Sequence, residues 1–183
     1  MFCFCPSCAS ARITFEYAKV FRCPDCGFVY YHNVAAATGC VIAVGSAVAL
    51  LVRAKEPARG KLDLPGGFVD PDEDAISCLR RECREEIGWD PGPNLTFLAS
   101  FPNTYPYKNI VYKTCDSYFT VSAPDLDESC FTLDPEEIAG VRFIRPELVR
   151  PEDLAFDSTR KAVAFFLRPP AAGGTAWPPV ASK

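Results

Sequence analysis

The chain has 183 residues, 49 % of them hydrophobic, enough for one ordinary domain with a buried core plus a small appendage. Its formal net charge is −4, which argues against a sequence-independent grip on nucleic acid, since that needs a basic surface. An acidic protein can still hold a polyphosphate where metal ions mediate the contact. The opening MFCFCPSC lacks a basic segment followed by a long apolar one, and the longest apolar run, 39–52, is too short to span a bilayer. Ten cysteines in such a chain point to a reducing, cytoplasmic setting with metal-bound and free thiols.

In chain order, the first signal is Cys5-Pro-Ser-Cys8 followed by Cys23-Pro-Asp-Cys26, with fourteen residues between the pairs. Two such turns can complete a tetrahedron of thiolates around Zn²⁺. The alternatives are two disulfides or a redox CxxC. The intervening ARITFEYAKVFR alternates like a short hairpin and is too small for a core of its own, so a bound metal would supply its stability. Cys3 reads as a spare thiol that could compete as a ligand. His32, the only histidine, reads as structural, and no histidine-based nucleophilic catalysis is supportable. Residues 27–38 are apolar and aromatic, and are expected to pack rather than tether.

A buried hairpin is predicted over 40–53, broken at Gly45-Ser46. The polar loop behind it carries Arg53, Lys55, Arg59 and Lys61, some of which could meet phosphate oxygens. A helix is predicted near 73–87, strands over 95–101, 111–121 and 139–144, and a last helix over 157–167 with Ala162, Phe165 and Phe166 as its apolar stripe. Residues 169–183, rich in Pro, Gly and Ala, read as a disordered tail. Cys40, Cys78, Cys83, Cys115 and Cys130 sit mostly in apolar contexts and are expected to be buried.

The helix at 73–87 carries the chemistry. At about 100° per residue, Glu82, Glu85 and Glu86 share one face. Ile76, Leu79, Cys83 and Ile87 form the core stripe, while Arg80, Arg81 and Arg84 fall mostly on the remaining side. Three carboxylates on one face suit a hard cation such as Mg²⁺ or Mn²⁺. A solvated face with supporting i,i+4 ion pairs is the alternative.

The run from Gly67 to Trp89 resembles the Nudix box, G-x5-E-x7-R-E-U-x-E-E-x-G-U, at every fixed position: Gly67, Glu73, Arg81, Glu82, Glu85, Glu86 and Gly88, with Cys83 and Trp89 at the apolar sites. The resemblance covers roughly 36–168. It implies an α+β chain: a Nudix α/β/α sandwich over 34–168, behind a small zinc ribbon over 1–33. It also implies hydrolysis of a nucleoside diphosphate linked to a second moiety X, by metal-assisted attack of water on a phosphorus. On that basis Glu82, Glu85, Glu86 and the Gly67 carbonyl are metal ligands, with Glu85 or Glu86 as a candidate base. Glu73 and Arg81 are an orienting pair, and Glu137 is a further catalytic or metal-binding candidate.

A zinc ribbon ahead of this box is similar to the NADH pyrophosphatase subfamily, whose hallmark is SQPWPFPxS. Here Ser100-Phe101-Pro102-Asn103-Thr104-Tyr105-Pro106-Tyr107 keeps the serine, a proline and the aromatic–proline pairing, but Phe101 and Asn103 replace the glutamine and tryptophan. The resemblance therefore implies NAD(H), a related dinucleotide or ADP-ribose as substrate, with Phe68, Tyr105 and Tyr107 as base-stacking candidates. The alternatives are a nucleoside triphosphate, a sugar nucleotide or a capped RNA end, or a non-catalytic nucleotide sensor or nucleic-acid binder. Subfamily members are commonly homodimers, and Tyr30 and Tyr31 are candidates for such an interface.

Overall fold

A computed structural model describes residues 2–17 and 19–168; the expected disordered tail lies outside them. The chain divides into two compact units, with the division in sequence between Val34 and Ala35. Among the described residues, no helix is long and apolar enough to cross a membrane.

The first unit is a three-stranded antiparallel sheet of β1 (Thr14–Glu16), β2 (Val20–Arg22) and β3 (Val29–Tyr31). Within residues 27–38, Val29–Tyr31 form the ribbon's third strand, and Ala35 already opens the next sheet. Phe21 is the unit's small apolar centre, with Phe2 and Phe28 edge-on to its ring. His32 donates its backbone N–H to the Lys19 carbonyl and sets its ring edge-on to Phe15. Tyr30 and Tyr31 are exposed.

The second unit contains β4 (Ala35–Val44), β5 (Ala47–Arg53), β6 (Leu62–Asp63), α1 (Ala75–Ile87), β7 (Thr96–Tyr107), β8 (Ile110–Ser122), β9 (Ile138–Ile144) and α2 (Asp157–Phe166). Its sheet runs β6-β5-β4-β8-β7, with β9 paired to β5. β4 and β8 are parallel, whereas the other pairings are antiparallel.

β4 and β5 read as one apolar run because both faces of the sheet are covered. Alternate residues sort into two cores. Cys40, Ile42, Ala49 and Leu51 pack with Leu79, Cys83 and Ile87 of α1. Val41, Val48 and Leu50 pack with Ala162 and Val163 of α2. The result is an α/β/α sandwich.

Several details differ from the sequence reading. α1 starts at Ala75 because the Asp74 carboxylate accepts from the Ile76 and Ser77 N–H groups as N-cap, which leaves Glu73 in the loop. β7 continues past Phe101 to Tyr107 through Pro102 and Pro106. It can do so as an edge strand, where a missing N–H is tolerated. On α2, Ser158 and Thr159 join Ala162 and Val163 on the buried face, while Phe165 stays partly exposed against Phe101. Cys115 and Cys130 are exposed, contrary to expectation. Cys115 lies between Thr114 and Asp116, which take the buried face of β8, and Cys130 ends a surface 3₁₀ turn.

Candidate active site

The site is built where the loop after β6 meets α1. Gly66 has φ +145°, and a Cβ there would lie 2.1 Å from the Thr38 carbonyl oxygen of β4. A Cβ on Gly67 would lie 2.4 Å from the Glu82 carboxylate. Only a chain without side chains can pass between β4 and the acidic helix at this height. The turn is pinned on both sides. Thr38 and Cys40 donate their N–H groups to the Gly67 and Pro65 carbonyls, and Gly66 donates its own to Glu86 Oε2 at 2.9 Å.

The three glutamates are not equivalent. Glu86 is 8 % exposed, while the side chains of Glu82 and Glu85 are 15 % and 59 % exposed. The helix wheel accounts for this order: Glu86, Glu82 and Glu85 lie about 60°, 100° and 160° from the Cys83 centre of the core stripe. Burial pushes the Glu86 carboxyl well above the usual carboxylate range, and the neighbouring charge of Glu82 adds to it. Burial also raises Glu82, with Arg81 pulling the other way. Two desolvated carboxylates side by side form an electrostatic deficit that a divalent cation would offset.

Glu85 does not join them. Its carboxylate accepts from Arg81 Nη1 at 3.0 Å, outside the cavity that Glu82 and Glu86 line. The Gly67 carbonyl is likewise engaged, by the Thr38 N–H at 2.9 Å. Gly67 contributes clearance at the least, because its missing side chain leaves room for Glu82.

Arg81 ties the loop to the helix. Its Nε and Nη2 grip Glu73 at 3.1 and 2.9 Å. Its Nη1 donates to Glu82 at 2.7 Å, and Nη2 also donates to the Phe68 carbonyl at 3.0 Å. The guanidinium holds the Glu73 carboxyl below the ordinary range. Five donors in a planar fork serve these partners at once, which an ammonium could not do.

The cavity in front of Glu82 and Glu86 measures about 290 Å³. Phe68, Tyr105 and Phe156 form its aromatic wall, with Tyr105 5.4 Å from Phe68 and 5.2 Å from Phe156 between ring centroids. Tyr107 stacks on Tyr105 at 6.4 Å but does not line the cavity. Glu137 lies on the rim, paired with Lys55, and Glu136 is exposed.

Arg53 and Lys55, flagged in the sequence as phosphate-contact candidates, line the cavity, whereas Asp116, Thr114 and Phe156 were not singled out. Arg53 holds Asp63 at 3.1 Å and lies over the Phe156 ring. Asp116 and Thr114 come from β8. Asp116 sits among other polar residues of β8 and does not stand out, and Phe156 lies just ahead of a helix.

In the other unit, the sulfurs of Cys5, Cys8, Cys23 and Cys26 all lie within 4.8 Å of one another. The Cys5–Cys26 and Cys8–Cys23 distances are 3.7 and 3.6 Å. A ZnS₄ tetrahedron with bonds of about 2.3 Å has edges of about 3.8 Å, so the four thiols fit one zinc ion. None of the cysteines is in a disulfide. The two knuckles are built alike: the Ala9 N–H donates to the Cys5 carbonyl, and the Gly27 N–H to the Cys23 carbonyl. Cys3 is outside the cluster.

The sandwich, the glycine turn and the acidic helix together define a Nudix-type hydrolase, and residues 33–165 match the NUDIX domain family. The chain belongs to that family. It is 32 % identical over 104 residues to the NAD-capped RNA hydrolase NudC of Stutzerimonas stutzeri, covering 57 % of this chain and 37 % of the relative. It is 34 % identical over 85 residues to the protein of the same name from Chromobacterium violaceum, covering 46 % and 32 %. The matches thus span about a third of these relatives' length.

Among solved structures, a NUDIX hydrolase from Nitrosomonas europaea superposes with TM-score 0.62 at 24 % identity over 87 % of each chain. The NUDIX domain of Shewanella oneidensis NrtR, complexed with ADP ribose, superposes with TM-score 0.61 at 19 % identity over 74 % of this chain and 88 % of that one. Both share the fold.

Proposed function

We propose that this chain is a metal-dependent pyrophosphohydrolase that cleaves the diphosphate of NAD(H), a related dinucleotide or ADP-ribose. The carrying observation is that one cavity holds both a carboxylate pair, the buried Glu86 and the partly buried Glu82, and an aromatic wall of Phe68, Tyr105 and Phe156. The first suits a cation carrying a diphosphate, and the second suits a flat base. Mg²⁺ or Mn²⁺, when bound, would neutralise charge on the non-bridging oxygens and lower the pKa of a bound water. Glu82 and Glu86 would hold the ion, and Glu85 would complete the set by leaving Arg81. Glu73 and Arg81 fix the loop that aims them, while Glu137 stands at the mouth. In the ribbon, Cys5, Cys8, Cys23 and Cys26 would hold a structural Zn²⁺.

The names of the relatives favour a second reading of the same chemistry, in which the dinucleotide is the cap of an RNA. A net charge of −4 does not help to hold the RNA body, so the free dinucleotide is placed first. The test is product analysis with Mg²⁺ or Mn²⁺ on NADH, ADP-ribose, NAD-capped RNA and deoxynucleoside triphosphates. AMP and the matching mononucleotide are expected from the dinucleotides, with turnover of Glu86→Gln reduced at least 100-fold. Cleavage of triphosphates alone, or of nothing in the panel, would sink the proposal.

A further inference from the structure

The cavity has a second set of polar lining residues besides the carboxylate pair, and its hydrogen-bonding capacity is incomplete. Thr114, Asp116 and Tyr118 occupy positions i, i+2 and i+4 of β8, so they share one face, with Cα atoms about 7 Å apart in sequence. All three line the cavity. Their neighbours on β4 are Ala35, Ala37 and Gly39; the Tyr118 ring lies over Gly39, and the small Ala37 leaves a slot beside Asp116. Asn103 of β7 stands opposite Thr114 and also faces the slot.

The hydroxyl protons around the slot are already committed. Tyr118 donates to Ser158 Oγ at 3.0 Å, and Ser158 donates to Asp116 Oδ2 at 2.6 Å. Thr159 donates to Asp63 Oδ1 at 2.8 Å. Asp63 is fully engaged by Thr159, Arg53 and the Leu64 N–H. Two atoms of these cavity-lining residues are left over: Asp116 Oδ1 and Thr114 Oγ1 are buried with no hydrogen-bond partner. The two residues are 6 % and 3 % exposed. Buried polar atoms of this kind normally have partners, and a site built this way selects a ligand that supplies them.

We infer that Asp116 and Thr114 form a specificity subsite for an amino-bearing planar ring of the substrate. The ring's –NH₂ donates to Asp116 Oδ1, and an adjacent ring or carbonyl acceptor takes the Thr114 hydroxyl proton. The ligand chemistry is a flat heterocycle carrying an –NH₂ next to an acceptor. Two parts of a pyridine–adenine dinucleotide have it: the carboxamide of nicotinamide, and the 6-amino group of adenine beside its ring nitrogen. The inference rests on the nucleotide-binding part of the proposed function and not on turnover.

The test is calorimetric binding of mononucleotides, which have no diphosphate to cleave, to the full chain in Mg²⁺. Two pairs distinguish the sources: AMP against IMP, and nicotinamide mononucleotide against nicotinic acid mononucleotide. In the pair whose base occupies the slot, the amino-bearing member is expected to bind roughly 10- to 100-fold tighter, the scale of a hydrogen bond to a buried charged group. Asp116→Asn, whose amide can donate where the carboxylate only accepts, should collapse or reverse that ratio. The near-isosteric Thr114→Val should weaken the amino-bearing member about fivefold, and it decides the question if Asp116→Asn does not fold. Equal binding within both pairs, or a preference that survives both variants, overturns the inference and leaves these atoms to buried water. Turnover of the panel without such a preference would overturn this inference alone. A preference without turnover would overturn only the hydrolase reading.

Discussion

A single glycine sets the depth of the site. Gly66 combines φ +145° with a Cβ position 2.1 Å from a backbone oxygen, so neither its conformation nor its space admits a side chain. Gly66→Ala is expected to destabilise the chain by about 3 kcal/mol, from backbone strain plus overpacking against β4. Urea unfolding measures this, and an unchanged midpoint would mean that the turn is looser than described. The glycine pair and the glutamates were legible in the sequence because their spacing is local: a turn, a cap and one helix face. The burial gradient from Glu86 to Glu85 was half legible, since the wheel gives its direction but not the loop that covers Glu86. Asp116, Thr114 and Phe156 were not legible. They reach the cavity through the parallel pairing of β4 with β8 and the docking of α2, which are long-range events with no local periodicity.

At the scale of the element, α1 is held at both ends by charge as well as by its core stripe. At its front, Arg81 clamps the loop through Glu73 and the Phe68 carbonyl. Arg81→Lys keeps the charge and loses the fork, so the loop should drift while the core stays packed. The expected result is a fall in kcat of about 10- to 100-fold with little change in thermal midpoint. A matching loss of stability would show that the clamp serves folding instead.

Behind the helix, Asp90 takes a bidentate pair from Arg80 at 2.9 and 2.8 Å, another contact from Arg84, and the Gly92 N–H. These partners, Arg80 foremost, depress the Asp90 carboxyl well below its ordinary value. A depressed carboxyl gives stability that is present above its unfolded pKa, about 3.9, and is lost as pH falls through the folded value. Wild-type urea midpoints should therefore fall on acidification below about pH 4. Asp90→Asn should make that fall shallower and lower the midpoint at pH 7. Parallel pH profiles for the two chains would remove Asp90 from the account.

At the scale of the molecule, the two units are stabilised by different means. The Nudix unit has two apolar cores, one on each face of a six-stranded sheet. The ribbon has three short strands, and among the described residues its buried apolar ones are Phe21, Cys5 and Cys23. A unit that small loses more chain entropy on folding than such burial returns, so the four thiols and their ion must make up the difference. Removing the ion should therefore act on one unit only. With a strong zinc chelator, or in a Cys5→Ser/Cys23→Ser variant, amide protection over 2–34 is expected to vanish while that of β4, β5 and α1 persists. Hydrogen exchange read by mass spectrometry resolves the two segments, and elemental analysis should find about one zinc lost per chain. If protection over 2–34 survives complete loss of metal, the ribbon folds on its aromatic residues and the cysteine cluster has some other purpose. If the sheet of the Nudix unit melts together with the ribbon, the two cores are energetically one. The packing of α1 and α2 on opposite faces of that sheet gives the Nudix unit cores of its own, which argues for independent melting.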